Sequence, residues 1–249
     1  MRLLVVTGTG TGIGKTVVTA ALAACGLAAG RRVAVVKPIQ TGVQPDEPGD
    51  LAEVQRLTGL TDLTEYVRYA EPLAPATAAR RVGEPGPDTV ELAARIAELA
   101  DRDLVIVEGA GGVLVRFNDR HQGICELTTA LAAHRPEVVL VTASGLGCLH
   151  DAAVASEALG RRGSSPRHLV IGDWPPAPGL AERCNLTDLQ AYTGLPLAGV
   201  LPHGAGGLAA VEFGEIAARA IGPTLGGSLD VPEFLARNSA PTPKDEGRR

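Results

Sequence analysis

Between Thr7 and Thr16 the chain reads TGTGTGIGKT, a run of glycines ending in a lysine and a hydroxyl. Two phosphate chemistries use such residues, and spacing separates them. A dinucleotide fingerprint needs G-x-G-x-x-G, but Gly8 and Gly10 are followed by Ile13, and Gly10 and Gly12 by Lys15. A phosphate loop needs G-x-x-x-x-G-K-[ST]; Gly14, Lys15 and Thr16 supply its end, with Thr9 in place of the opening glycine. The apolar run Leu3–Val6 enters the loop and a helical pattern leaves it at Lys15. Backbone N–H groups from Gly12, Ile13, Gly14 and Val17 and a helix N-terminus then converge on one anion. In this arrangement Lys15 reaches the β- and γ-phosphates of a nucleotide, and the Thr16 hydroxyl ligates Mg²⁺.

Such a loop needs a metal partner on a neighbouring strand. Asp103–Gly112, DLVIVEGAGG, delivers Glu108 to the C-terminal end of an apolar run, where α/β sheets hold ligands. The glycines at Gly109, Gly111 and Gly112, with Ala110 between them, let the backbone approach a bound group. Glu108 is therefore read as a Mg²⁺ ligand, against the alternatives of a solvated strand end or a helix cap. Lys37 follows the run Val33–Val36 at the same sheet edge, so it either adds a second ammonium beside the γ-phosphate or snorkels from a strand end. Asp50, in EPGDLAEVQRLTG, could equally be the N-cap of the helix that follows.

The elements that must position these residues are legible as an alternation. Apolar, β-branched runs at Leu3–Val6, Val33–Val36, Leu104–Val107, Val138–Val141, Leu169–Ile171 and Leu197–Leu201 have the character of strands buried on both faces. Helical patterns lie between them at Lys15–Ala29, Thr89–Ala100, Glu126–Ala133, Leu149–Leu159 and Leu186–Tyr192. The expected fold is α/β, a mostly parallel sheet with helices on both faces. Gly42–Gly49, rich in Pro, Gly and acid, reads as a mobile loop, residues 1–221 as one domain, and residues 222–249 as a disordered tail.

Composition narrows the function classes. The chain has 249 residues, 45% of them hydrophobic, enough to bury a full core. Its 23 basic and 28 acidic residues give a net charge of −5, and the basic residues fall in scattered pairs without interleaved aromatics, so no nucleic-acid partner is expected. No basic leader and no apolar run of bilayer length is present, so no membrane partner is expected either. Cys25, Cys125, Cys148 and Cys184 lie far apart without a C-x-x-C, which reads as buried free thiols in a reducing cytoplasm.

Taken in order, TGTGTGIGKT, VKPIQTG (36–42), Asp50 before a helix, AEPLAP at Ala70–Pro75, VEGAGG (107–112) and SGLGCLHDA at Ser144–Ala152 resemble the dethiobiotin synthetase family over roughly Met1–Ile221. The resemblance implies a P-loop NTPase-like fold and a homodimer with its active site at the subunit interface. It implies that 7,8-diaminononanoate, CO2 and ATP become dethiobiotin, ADP and phosphate through a phosphorylated carbamate. It also places Thr11, Lys15 and Lys37 around the carbamate and γ-phosphate, Thr16, Asp50 and Glu108 around Mg²⁺, and Thr41 near the diamine. Gly147, Cys148, Leu149 and His150 would receive the substrate carboxylate from the partner subunit. Two positions depart from the family pattern. Where many members read adenine through an Asn-Asp pair, this chain has Gly172 and Asp173, which leaves ATP or another nucleoside triphosphate as co-substrate; His150 stands where asparagine is frequent. Nearby Trp174 could stack on a base or pack on the prolines after it.

Other classes fit less well. A nucleotide switch of the partitioning-ATPase type usually has a lysine where this loop has Gly10, and a cobyrinate-type amidotransferase needs a glutaminase domain that the residues after Ile221 are too few to form.

Overall fold

A computed structural model of the chain describes residues 1–240. In chain order the elements are β1 (Arg2–Gly8), α1 (Lys15–Ala28), β2 (Val33–Thr41), α2 (Asp50–Thr58), β3 (Leu63–Tyr69), α3 (Pro75–Arg81), α4 (Thr89–Ala97), β4 (Leu104–Glu108), α5 (Ile124–Ala130), β5 (Glu137–Thr142), α6 (Cys148–Arg161), β6 (Pro166–Trp174), α7 (Leu180–Thr193), β7 (Leu197–Pro202), α8 (Ala210–Ala220) and α9 (Val231–Asn238). The strands form one parallel sheet in the order β3-β2-β4-β1-β5-β6-β7.

Alternation along each strand divides the core in two. Leu4 and Val6 of β1 face α1, α2 and α8, while Leu3 and Val5 face the layer of α3 to α7. Both faces are covered, which is why the central strands read as unbroken apolar runs. The chain order reverses across β1, with β4 on one side and β5 on the other. Such a switch point opens a crevice at the strands' C-terminal ends, and the glycine loop after β1 lies there.

Four expectations need correction. Lys37 does not follow β2 but sits inside it, because the strand continues to Thr41. Past Val36 the strand has lost its β4 partner and pairs with β3 alone, so Pro38, which has no N–H to donate, is tolerated. The edge strand β3 was missed because LTEYVRY is mostly half-buried and lacks an apolar run. The segment Gly42–Gly49 is pinned: the Arg68 guanidinium donates to the carbonyls of Gln44 at 2.9 Å and Glu47 at 2.7 Å. Finally, the segment expected to be disordered from residue 222 forms a short turn at Pro223–Leu225 and then α9, whose Phe234 meets Trp174 edge-on at 5.8 Å and 71°. Residues 241–249 of that expected tail lie outside the described residues. Cys25, Cys125 and Cys148 are buried free thiols, whereas Cys184 is only half-buried.

Candidate functional site

The phosphate loop is built by backbone that only glycine allows. Gly12 and Gly14 adopt φ of 74° and 88°, and Gly14 caps α1. The loop lies directly on β6, where a Cβ at Gly14 would collide with the Gly172 carbonyl and a Cβ at Gly172 with that of Ile13. Lys15 opens α1 and folds back, its Nζ donating to the Gly10 carbonyl at 2.5 Å. The loop therefore closes around a space toward which the first turn of α1 points.

Two carboxylates and a second lysine complete that space. Glu108, the last residue of β4, is fully buried and accepts hydrogen bonds at Oε1 from Thr16 Oγ1 (2.9 Å) and Lys37 Nζ (2.8 Å). Lys37 Nζ also pairs with the Asp50 carboxylate and donates to the Gly109 carbonyl at 3.3 Å. Burial by itself would lower the pKa of Lys37, but the charges and hydrogen bonds of Glu108 and Asp50 outweigh it and raise the pKa. Lys15 lacks such direct partners, and burial, followed by repulsion from Lys37, lowers its pKa. Asp50 is not the helix cap: Gly49 holds that position and makes no side-chain cap bond, leaving the Asp50 carboxylate free to turn inward.

The same three oxygens meet the requirements of a hard dication. Glu108 Oε2 is buried without any hydrogen-bond partner, which is costly unless a ligand satisfies it. The other oxygen, Oε1, accepts from the Thr16 hydroxyl, and the Lys37 ammonium pairs with both Glu108 and Asp50, so a cation is held among these carboxylates.

These groups line one cleft of about 570 Å³. Of the residues singled out in the sequence, it gathers Thr11, Gly12, Gly14, Lys15, Thr16, Val17, Lys37, Thr41, Asp50, Glu108, Ala110 and Gly111. Ile13 and Gly109 lie outside the cleft wall and contribute carbonyls, to the β6 contact and to Lys37. Gly172 also stays outside, and Asp173 faces His203, whose Nδ1 is 3.0 Å from Asp173 Oδ1. Gly147, Cys148, Leu149 and His150 open α6 away from the cleft; His150 is exposed and borders a separate groove with Thr9, Gly112, Leu114 and Val154. Sequence reasoning missed Gln40 and Ile39 on the cleft wall and gave no role to Pro72–Pro75, which closes it. The AEPLAP motif was the available signal for the latter, and VKPIQTG, which contains Ile39 and Gln40, for the former.

Comparison with known proteins identifies the family. A family model described as an AAA domain matches residues 2–206. The chain is 55% identical to the ATP-dependent dethiobiotin synthetase BioD of Frankia casuarinae over 95% of its length and 99% of that protein. It is 50% identical to the protein of the same name from Streptomyces avermitilis over 95% of the chain and 98% of the relative. Among solved structures, a ParA family ATPase from Chlorobium tepidum covers 87% of the chain and 90% of its own, with a TM-score of 0.54 at 12% identity. The septum site-determining protein MinD of Pyrococcus horikoshii gives 0.53 at 17%, covering 87% of this chain and 94% of that one. These two show the P-loop ATPase fold, and the curated relatives show the family within it: the chain belongs to the ATP-dependent dethiobiotin synthetases.

Proposed function

We propose that the chain converts 7,8-diaminononanoate and CO2 to dethiobiotin at the expense of ATP, by phosphorylating a diamine carbamate that the second amine then closes to a cyclic urea. The observation that carries this reading is the placement of Lys37 and Lys15, two buried ammonium groups, in one cleft with the phosphate loop. Transfer of a phosphoryl group to a carbamate brings anionic donor and acceptor together, and fixed cations in a desolvated site stabilise that charge. Lys15 and the loop N–H groups would hold the β- and γ-phosphates. Lys37, held in the charged form, would face the carbamate oxygens, with Thr11 beside the transferred group and Thr41 on the diamine side. Thr16, Asp50 and Glu108 would hold Mg²⁺, which when bound neutralises phosphate charge. Lys37, paired with Glu108 and Asp50 in the cleft, is the buried ammonium that would turn to the carbamate oxygens.

The N-terminus of α6 lies outside the cleft of its own chain, which fits a role for Gly147–His150 in the cleft of a partner subunit within a homodimer. The nucleotide base is read loosely. Gly172 has no side-chain amide, and Trp174 is covered by Phe234, so it offers no open face to a base. Discrimination among ATP, CTP, GTP and UTP is then expected within about 1–2 kcal/mol, roughly fivefold to thirtyfold in kcat/KM. A turnover assay with diaminononanoate, bicarbonate and each triphosphate tests both statements. Absence of dethiobiotin with every nucleotide overturns the reaction; a preference for ATP above about 10³ overturns only loose base reading.

A further inference from the structure

The start of α2 is held in an unusual way. The first N–H groups of a helix have no intrahelical partner, and aspartate at such a position commonly folds back onto its own backbone. Gly49 has no side chain to offer as a cap, and the Asp50 carboxylate is turned to Lys37. The missing acceptor comes from ten residues earlier: the Asp50 N–H donates to Gln40 Oε1 at 2.9 Å. The Gln40 amide is buried and oriented in turn, its Nε2 donating to the Thr41 carbonyl at 3.1 Å. Its register neighbour on β3, Arg68, holds the connecting loop through the carbonyls of Gln44 and Glu47. Gly49 lies over both side chains; a Cβ there would sit 2.8 Å from Gln40 Oε1 and 3.1 Å from Arg68 Nη2.

We propose that Gln40 is a positioning residue for Asp50: by satisfying the first helical N–H, its amide leaves the Asp50 carboxylate facing the site. The inference rests on the reading of Asp50 as a Mg²⁺ ligand. Gln40 touches neither phosphate nor metal in this scheme; it sets how much ordering the carboxylate still needs when a dication arrives.

The test uses the full chain with Gln40→Ala, Gln40→Glu and Asp50→Asn. Two quantities are read: the Mg²⁺ concentration for half-maximal turnover, set against kcat at saturating Mg²⁺, and hydrogen exchange at the Asp50 amide in metal-free protein. Gln40→Ala is expected to raise the Mg²⁺ requirement and to speed that exchange, each by roughly tenfold, the scale of one hydrogen bond. Most of the lost turnover should return at saturating Mg²⁺. Gln40→Glu keeps the acceptor and loses the donor to Thr41, so it should restore both quantities; failure to restore them assigns the effect to Thr41 and overturns the proposal. If Gln40→Ala does not fold, Gly49→Ala displaces the same amide from above and should show the same rise. A raised requirement in Asp50→Asn with parent-like behaviour in Gln40→Ala overturns the positioning role alone. An unchanged requirement in Asp50→Asn overturns the metal reading and this inference with it.

Discussion

Lys37 sets the charge balance of the cleft, since it is the cation that faces both Glu108 and Asp50. Replacing it with alanine leaves the fully buried Glu108 carboxylate with Thr16 as its remaining donor. Uncompensated buried charge is destabilising by about 3 kcal/mol, so metal-free Lys37→Ala should melt below the parent. Added Mg²⁺ should recover much of that loss; differential scanning calorimetry with and without Mg²⁺ checks it. Turnover by Lys37→Ala and by Lys15→Ala should each fall by roughly 10²–10³ even with Mg²⁺. Near-parent kcat in either folded variant removes that lysine from the chemistry. A second charge cluster, at the opposite end of the sheet, governs acid stability. Hydrogen bonding from Arg2 first, and from His168 next, holds the Glu137 carboxyl down to about 2 from an ordinary 4.5. A depressed carboxyl pKa stabilises the fold fully above the unfolded value and loses that contribution as pH falls toward the folded one. The melting temperature should therefore fall between about pH 4.5 and 2 in the parent, and less steeply in Glu137→Gln.

At the level of elements, the contact that shapes the site is the one between the phosphate loop and β6. It exists because neither Gly14 nor Gly172 has a Cβ. Gly172→Ala must push the loop off the strand through the Ile13 carbonyl, which shifts the N–H groups meant for phosphate. We expect weaker binding of a nonhydrolysable ATP analogue by about 1–2 kcal/mol, measured calorimetrically, with a smaller change in melting temperature. An unchanged Kd would show that the loop relaxes without cost to the phosphate cradle. The same contact explains why glycine at 172 is compatible with a tight site although a side-chain amide is lost there.

On the scale of the whole molecule, residues 222–240 are part of the fold. Asp230 caps α9 by accepting from the Glu233 N–H at 2.9 Å, and Phe234 then covers Trp174, the single tryptophan. Edge-to-face aromatic contact contributes about 0.5–1.5 kcal/mol beyond simple burial. Phe234→Ala should lower stability by about 1–2 kcal/mol and move the tryptophan emission to longer wavelength as water reaches the indole. Emission unchanged in the folded variant would mean that Trp174 is shielded by other groups. The same contact decides between the two roles the sequence left open for Trp174: the indole is buried and packs on Phe234.

How much of this was present in the sequence follows from the range of the forces involved. Alternating buried runs and helical periods are local properties, so the parallel sheet, its helices and the phosphate loop at its centre were legible from Leu3–Val6, Lys15 and their counterparts. Glu108 was legible too, because four apolar residues before an acid mark a strand end. The edge strand β3 and the ordered segment after Ile221 were not: LTEYVRY has mostly half-buried positions, and α9 is held by long-range partners, Val231, Phe234 and Leu235 on the core and Arg183 at its end. Asp50 shows the same division within a single residue. Its type and place before a helix allowed either cap or ligand, and local sequence cannot choose between them. The choice is made by Gln40, which satisfies the helix N–H from another strand, and by Lys37, whose ammonium attracts the carboxylate. Long-range partners decide which way a polar side chain turns, and only the tertiary structure brings them together.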